Sequence, residues 1–158
     1  VSMSFVLDNV ILSSFYSAGW FDSLAFYSPE DKLRVPERIW TAEFLPDRDV
    51  DSAPEWLTVQ SVTELPETGV PGALSEADKT CLALAERHSD VLVTNDKKLV
   101  ETAKARDVAT KWGTRFVIET FEQCGISQTA FDAGVEAYRD DIYLPNVVAE
   151  KLMQAEKP

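Results

Sequence analysis

The stretch LVTNDKKL, residues 92–99, runs from apolar and β-branched residues into Asp96 and two lysines with no glycine or proline between them. With Val91 before it, VLVTN (91–95) has the composition of a buried strand. DKKLVETAKARD (96–107) then has that of a helix, and VATKW (108–112) again reads as a strand. Strands alternating with helices indicate an α/β domain with a mainly parallel sheet. The same stretch places a carboxylate where a buried strand gives way to a helix.

Working outward, LSEADKTCLALAERHSD (74–90) reads as a helix before that strand. Ser75 serves as its N-cap, Asp78 three residues later completes an acidic variant of the capping box, and Leu82, Leu84 and Ala85 form an apolar side. SFVL (4–7) reads as a first strand that delivers Asp8 at its end. DNVILSSFYSAGWFDSLAFY (8–27) follows as a helix or a helix pair broken near Gly19. VPERIWTAEFL (35–45) predicts a helix with Pro36 in the first turn and Glu43 in the last. EWLTVQSV (55–62) is expected to be the second of four strands, ETGVPGA (67–73) a turn region, and PDRDVDSAPE (46–55) an exposed loop. Beyond Gly113, TRFVIETFEQCGISQTAFDAGVEAYRDDIYLPNVVAEKLMQ (114–154) predicts helices separated at Gly125 and around Tyr143 to Pro145.

A length of 158 residues with 45% hydrophobic residues fits one domain, residues 1–158, of which about 113–155 form a C-terminal helical part. Val1 and Ser2 precede Met3 and read as an added remnant. No apolar run approaches the roughly 18 residues of a membrane span, and the start has neither a basic segment nor a cleavage-like site. The expectation is a soluble, cytoplasmic protein with no membrane partner. Cys81 and Cys124 lack the spacing of a zinc site and read as buried thiols.

Charge is the unusual feature: 27 acidic against 15 basic residues, a formal net charge of −12 and a pI near 4.4. Such a balance opposes nucleic-acid binding in dilute salt, because affinity for a polyanion comes largely from Lys and Arg. In molar salt, with a Debye length of about 3 Å, the repulsion is screened and short-range contacts to phosphate remain. A halophilic source and a basic partner are two explanations that composition leaves open.

In an open parallel sheet, ligands collect beyond the carboxyl ends of the strands. Asp8 and Asp96 sit at such ends, Asp78 lies in the first turn of the helix before the third strand, and Glu43 lies in a helix between the first two. Four converging carboxylates repel one another unless a divalent cation neutralises them, and oxygen-only ligands favour magnesium or manganese over zinc. Metal-assisted phosphodiester hydrolysis is chemistry such a site supports. The plainer alternative is that each acid is a solvated charge, with Asp8, Asp78 and Asp96 acting only at helix N-termini.

In order along the chain, FVLDNVILSSFYSAGWFDSL, VPERIWTAEF and LSEADKTCLALAERHSDVLVTNDKKL closely resemble the PIN-domain nucleases. GTRFVIETFEQCGI and AYRDDIYLPNVVAEKLM resemble the C-terminal part of an uncharacterised prokaryotic PIN branch of predicted nucleic-acid-binding proteins, akin to VapC-type toxins. The resemblance implies a three-layer α/β/α sandwich around a mainly parallel sheet. It also implies magnesium- or manganese-dependent cleavage of RNA, with Asp8, Glu43, Asp78 and Asp96 as the four acids. Many relatives have Ser or Thr after the first acid where this chain has Asn9, whose amide can still hydrogen-bond the site. Thr94 matches a small polar residue whose hydroxyl orients Asp8 or Asp96, and Asn95 is a further supporting candidate. A small antitoxin and a homodimer are the partners that the resemblance suggests.

Arg38, Lys97, Lys98 and Arg115 are the candidates for contacts with RNA, although lysines and arginines on helix surfaces are more often solvated. His88, at the far end of its helix from Asp78, reads as a helix-terminal cation or cap rather than a catalytic base. Trp40 and Trp112 could stack on bases or belong to the core. Three functions follow: a metal-dependent endoribonuclease, for which a toxin is the suggested role; a PIN-scaffold binding module with little or no activity; and, least supported, a receiver-like phosphoacceptor. The last expects an adjacent acidic pair near the first strand and an Asp on a central strand, and this sequence offers neither.

Overall fold

A computed structural model describes residues 4–27, 33–46, 48, 52–65, 74–123 and 126–141. The chain runs β1 (Phe5–Leu7), α1 (Asn9–Ser17), a 3₁₀ segment (Phe21–Tyr27), β2 (Leu33–Pro36), α2 (Glu37–Ile39) continuing into a π-helical turn (Trp40–Phe44), and β3 (Leu57–Gln60). It continues through α3 (Glu76–His88), β4 (Val91–Thr94), α4 (Lys97–Ala105), β5 (Thr110–Trp112), α5 (Gly113–Gln123) and α6 (Gln128–Asp141). Five parallel strands form one sheet in the order β3-β2-β1-β4-β5. Helices flank the sheet, so the architecture is the expected three-layer α/β type with a parallel central sheet.

One strand was not expected. Leu33–Pro36 pairs with β1 through Leu33↔Phe5 and Arg34↔Val6, and with β3 along its whole length. Pro36 therefore ends a strand and stands at the N-cap position of α2, with ψ 138°, instead of occupying the first helical turn. At this position its missing N–H costs little, because the pairing with β1 has already ended at Arg34. EWLTVQSV accordingly supplies the third strand, and the sheet has five strands where four were expected.

The strand order creates a switch point. From β1 the chain moves to β2 and β3 on one side, then returns through α3 to β4 on the other side of β1. The connections on the two sides depart in opposite senses, and a crevice opens at the carboxyl ends of β1 and β4. Right-handed crossovers place α3 and α4 on one face and α1 on the other. On the α1 face, Phe5, Phe15 and Phe116 pack with ring centroids 5.3 to 5.8 Å apart.

The break expected near Gly19 is present, with φ +80° at that residue ending α1. α6 docks close to this corner: the Trp20 indole donates to the Ala130 carbonyl at 3.1 Å, and a Cβ at Gly134 would lie 2.5 Å from the Ala18 carbonyl oxygen. The turn region 67–73, Cys124, Gly125, the break around Tyr143 and the stretch 142–158 lie outside the described residues. No helix among the described residues is long and apolar enough to cross a membrane.

Candidate active site

Asp8 follows β1 directly. Its backbone N–H donates to the Val93 carbonyl at 3.3 Å, extending the pairing of β1 with β4, while its own carbonyl accepts from Ile11 at the start of α1. The backbone thus fixes the residue at the switch point. Its side chain makes no N-capping bond to α1 and instead accepts a hydrogen bond from the Thr94 hydroxyl at 2.8 Å. Asp8 is 8% exposed.

Thr94, the last residue of β4, is fully buried. Its hydroxyl oxygen also accepts from the Asp96 N–H at 3.1 Å, so one side chain ties the Asp8 carboxylate to the backbone that carries Asp96. The capping expected of Asp96 is present: its Oδ1 accepts from the N–H groups of Lys98 at 2.9 Å and Leu99 at 3.2 Å. Capping and ligation are compatible, since each carboxylate oxygen has two acceptor positions. Asp78 is held differently, with its N–H donated to the Ser75 hydroxyl at 3.0 Å. Ser75 is the cap, and the Asp78 carboxylate in turn interacts with the Ser75 N–H and hydroxyl, as the expected capping box requires.

Glu43 comes from the π-helical turn, where the Leu45 N–H reaches back five residues to the Trp40 carbonyl at 2.9 Å. The wider turn lets Trp40 and Phe44 stack at 4.9 Å in the core while Glu43 remains exposed. π-turns within helices often occur at functional sites.

The four carboxylates, together with Asn9, Val10 and Asn95, line one cleft of about 390 Å³. Their electrostatics are coupled. The Asp8 carboxyl is raised to about 6, mainly by burial and also by Asp78 and Glu43, against the opposing bonds from Thr94 and the Asn9 N–H. Burial raises Glu43, with Asp78 adding to the effect and Arg38 opposing it. Burial also raises Asp78; its interactions with Ser75 oppose this, while Asp96 adds to it. Beside them in α3, burial holds the Cys81 thiol well above its ordinary range, reinforced by Asp8, Asp78 and Glu43. Cys81 is a buried free thiol, as expected.

Among the described residues, no three acidic, thiol or imidazole groups are spaced to hold one metal ion. The donor set nonetheless suits a hard divalent cation, being carboxylate only. The carboxylates repel one another, as the raised Asp8, Glu43 and Asp78 carboxyls show, and a cation bound among them would relieve that repulsion.

The supporting candidates differ in their settings. The Asn9 Oδ1 accepts from the Ser13 hydroxyl at 3.2 Å, within α1. Asn95 places a buried Nδ2, without a hydrogen-bond partner among the described residues, against Gly113. A Cβ at position 113 would lie 2.3 Å from Ile11 Cδ1 and 2.8 Å from Asn95 Nδ2, so the glycine at the β5–α5 junction makes room for both. Val10 carries no sequence signal for a site; an apolar residue in an amphipathic helix reads as core, yet it is exposed and lines the cleft.

None of the candidate RNA contacts lines the cleft itself. Arg38 pairs with Glu76, and Arg115 bonds Glu119 at 3.3 Å. Lys97 and Lys98 are exposed in the first turn of α4, with Lys97 4.0 Å from Glu101. His88 does end α3, but burial and Arg34 lower its pKa, so at neutral pH it is an uncharged partner of Gln60 at 3.0 Å and not a helix-terminal cation. No family model matches the chain, and no curated protein or solved structure matches it either.

Proposed function

We propose that this chain is a magnesium- or manganese-dependent endoribonuclease of PIN type. The observation that carries this reading is the convergence of Asp8, Glu43, Asp78 and Asp96, from four separate elements, on one cleft at the switch point of a parallel sheet. The sequence resemblance to PIN-domain nucleases, carried by the same four acids in order, favours it as well. A toxin held in check by a small antitoxin is the biological role we favour, in a cytoplasmic and halophilic setting.

Asp8, Glu43, Asp78 and Asp96 are the residues that would hold the cation. When bound, the cation supplies activation of water and neutralisation of charge developing on the phosphoryl group, as in other metal-dependent phosphodiester cleavage. The chain itself supplies orientation. Thr94 fixes one oxygen of Asp8, and the first turn of α4 fixes one oxygen of Asp96. Residues that orient ligands typically contribute ten- to hundredfold in affinity or activity. Thr94→Val is therefore expected to lower manganese-dependent turnover by about ten- to hundredfold, while Thr94→Ser retains most of it. Equal rates for the native chain and Thr94→Val would remove Thr94 from the machinery.

The direct test is cleavage of a mixed pool of single-stranded and structured RNA in molar potassium chloride, with manganese or with chelator, by the native chain and Asp96→Asn. Cleavage that requires both manganese and Asp96 supports the nuclease. Absence of cleavage by folded native protein favours the alternative, a PIN-scaffold module that binds RNA or protein without turnover. Asn9 in place of a hydroxyl residue and the strong negative charge are what favour that alternative.

The halophilic setting has its own test. With 27 acidic residues against 15 basic, self-repulsion grows as screening falls. Melting temperature is expected to drop steadily as potassium chloride is reduced from molar to about 0.01 M, where the Debye length reaches about 30 Å. A flat series would point instead to a basic partner.

A further inference from the structure

The same edge of the sheet carries an aromatic residue that the acidic cleft does not use. Trp112 ends β5 and is 43% exposed, whereas Trp20 and Trp40 are buried. Its register partner is Thr94. In a parallel ladder, paired residues project from the same face, and neighbouring strands lie about 4.8 Å apart. The indole therefore stands one strand away from the residue that bonds Asp8, on the face covered by α4.

α4, capped by Asp96, opens with the exposed Lys97 and Lys98. An exposed indole one strand from the Thr94–Asp8 pair, with exposed lysines at the start of the helix that covers this face, suits a single strand whose phosphate enters the cleft. The neighbouring base then meets a flat aromatic surface.

We propose that Trp112 is a stacking platform for an unpaired RNA base next to the scissile phosphate, selecting single-stranded over duplex substrate; this rests on the ribonuclease reading above. Stacking is available only to a base freed from pairing, and alanine substitution at such platforms weakens binding for each base that loses its stack.

The test uses the native chain, Trp112→Ala and Trp112→Phe with manganese. The substrates are an unstructured labelled RNA 12-mer and the same sequence in a perfect duplex. Trp112→Ala is expected to raise KM for the single strand by about 5- to 150-fold, the range for one stacked base, with kcat within about twofold and Trp112→Phe recovering most of the loss. Residual cleavage of the duplex should not change. If the native chain cuts and Trp112→Ala leaves KM unmoved, or raises it equally for both substrates, the platform is overturned while the nuclease reading stands. Conversion of a native dimer to a monomer by Trp112→Ala overturns it as well, because a second copy then covers the indole. If the native chain does not cut, the nuclease reading falls, and indole fluorescence decides the platform. Quenching by the 12-mer that disappears in Trp112→Phe upholds it, and quenching that persists or never occurs overturns it.

Discussion

Asp8→Asn is expected to abolish manganese-dependent cleavage and, in the same protein freed of metal, to raise the melting temperature. The loss of activity should exceed about a hundredfold, since Asp8 would itself be a ligand and removing a residue that merely orients a ligand costs ten- to hundredfold. The gain in stability comes from burial. Asp8 is 8% exposed, and its carboxyl is raised from 3.8 to about 6 by desolvation, with Asp78 and Glu43 adding repulsion. A folded-state pKa above the unfolded one means that the folded chain binds the proton more tightly. The metal-free protein therefore loses stability as pH rises from about 4 through about 6, and the loss is complete above that range. Between 3.8 and about 6 the loss amounts to roughly 3 kcal/mol.

Asn is neutral at every pH and can still accept from Thr94, so it removes this penalty. For a chain of this size the gain corresponds to a rise of up to about 6–12 °C at pH 7.5, shrinking toward zero at pH 4. Scanning calorimetry of both proteins in chelator between pH 4 and 8 measures it. Glu43 and Asp78, whose carboxyls are also raised, contribute with the same sign in both proteins. A lower melting temperature for Asp8→Asn at pH 7.5 would mark Asp8 as a structural group and count against the site. A conventional helix-capping acid behaves in the opposite way, because its loss costs about 0.5–2 kcal/mol.

The second large effect lies at the other end of the sheet. Arg34 of β2 and Asp90, which precedes β4, form an ion pair at 2.6 Å with side chains 15% and 2% exposed. Replacing Arg34 with Met keeps the aliphatic stem but leaves a buried carboxylate without its cation. Breaking such a pair from one side costs about 3–5 kcal/mol, a large part of the 5–15 kcal/mol that holds a typical domain together. Arg34→Met is thus expected to lower the melting temperature by about 6–20 °C at neutral pH. The double variant Arg34→Met, Asp90→Asn should recover much of that loss, since no buried charge remains. Urea unfolding of the native chain and both variants tests this. A single variant within about 0.5 kcal/mol of native, the ordinary range for a surface change, would sink the prediction.

These two sites also divide what the residues announce from what only folding arranges. The fold class was legible because VLVTN, DKKLVETAKARD and VATKW alternate strand and helix periods strongly enough for local pattern to decide. The helix starts at Asp96 and after Ser75 were equally plain, because capping chemistry is local: the bonds expected there are the bonds found. The break at Gly19 belongs with them, since a positive φ is read from the residue type itself.

Strand β2 was not legible. LRVP places a charge and a proline within four residues, and what makes it a strand is non-local: pairing with Phe5 and Val6 on one side, with Leu57 to Gln60 on the other, and a guanidinium received by an aspartate 56 residues away. The charge state of the acids was hidden for the same reason. Nothing in the four letters around Asp8 tells that it is buried beside Thr94 and coupled to Glu43 and Asp78, while Asp96 stays exposed at its helix cap. Likewise, Arg38 and Arg115 read as cations open to phosphate until the fold supplied Glu76 and Glu119 as partners. By itself the sequence determined the parallel α/β class, the helix caps and which acids to watch, because period, capping and backbone freedom act within a few residues. Tertiary structure alone decided the strand order, the shared cleft and which charges are buried or paired, because topology and desolvation arise only when distant segments exclude water together.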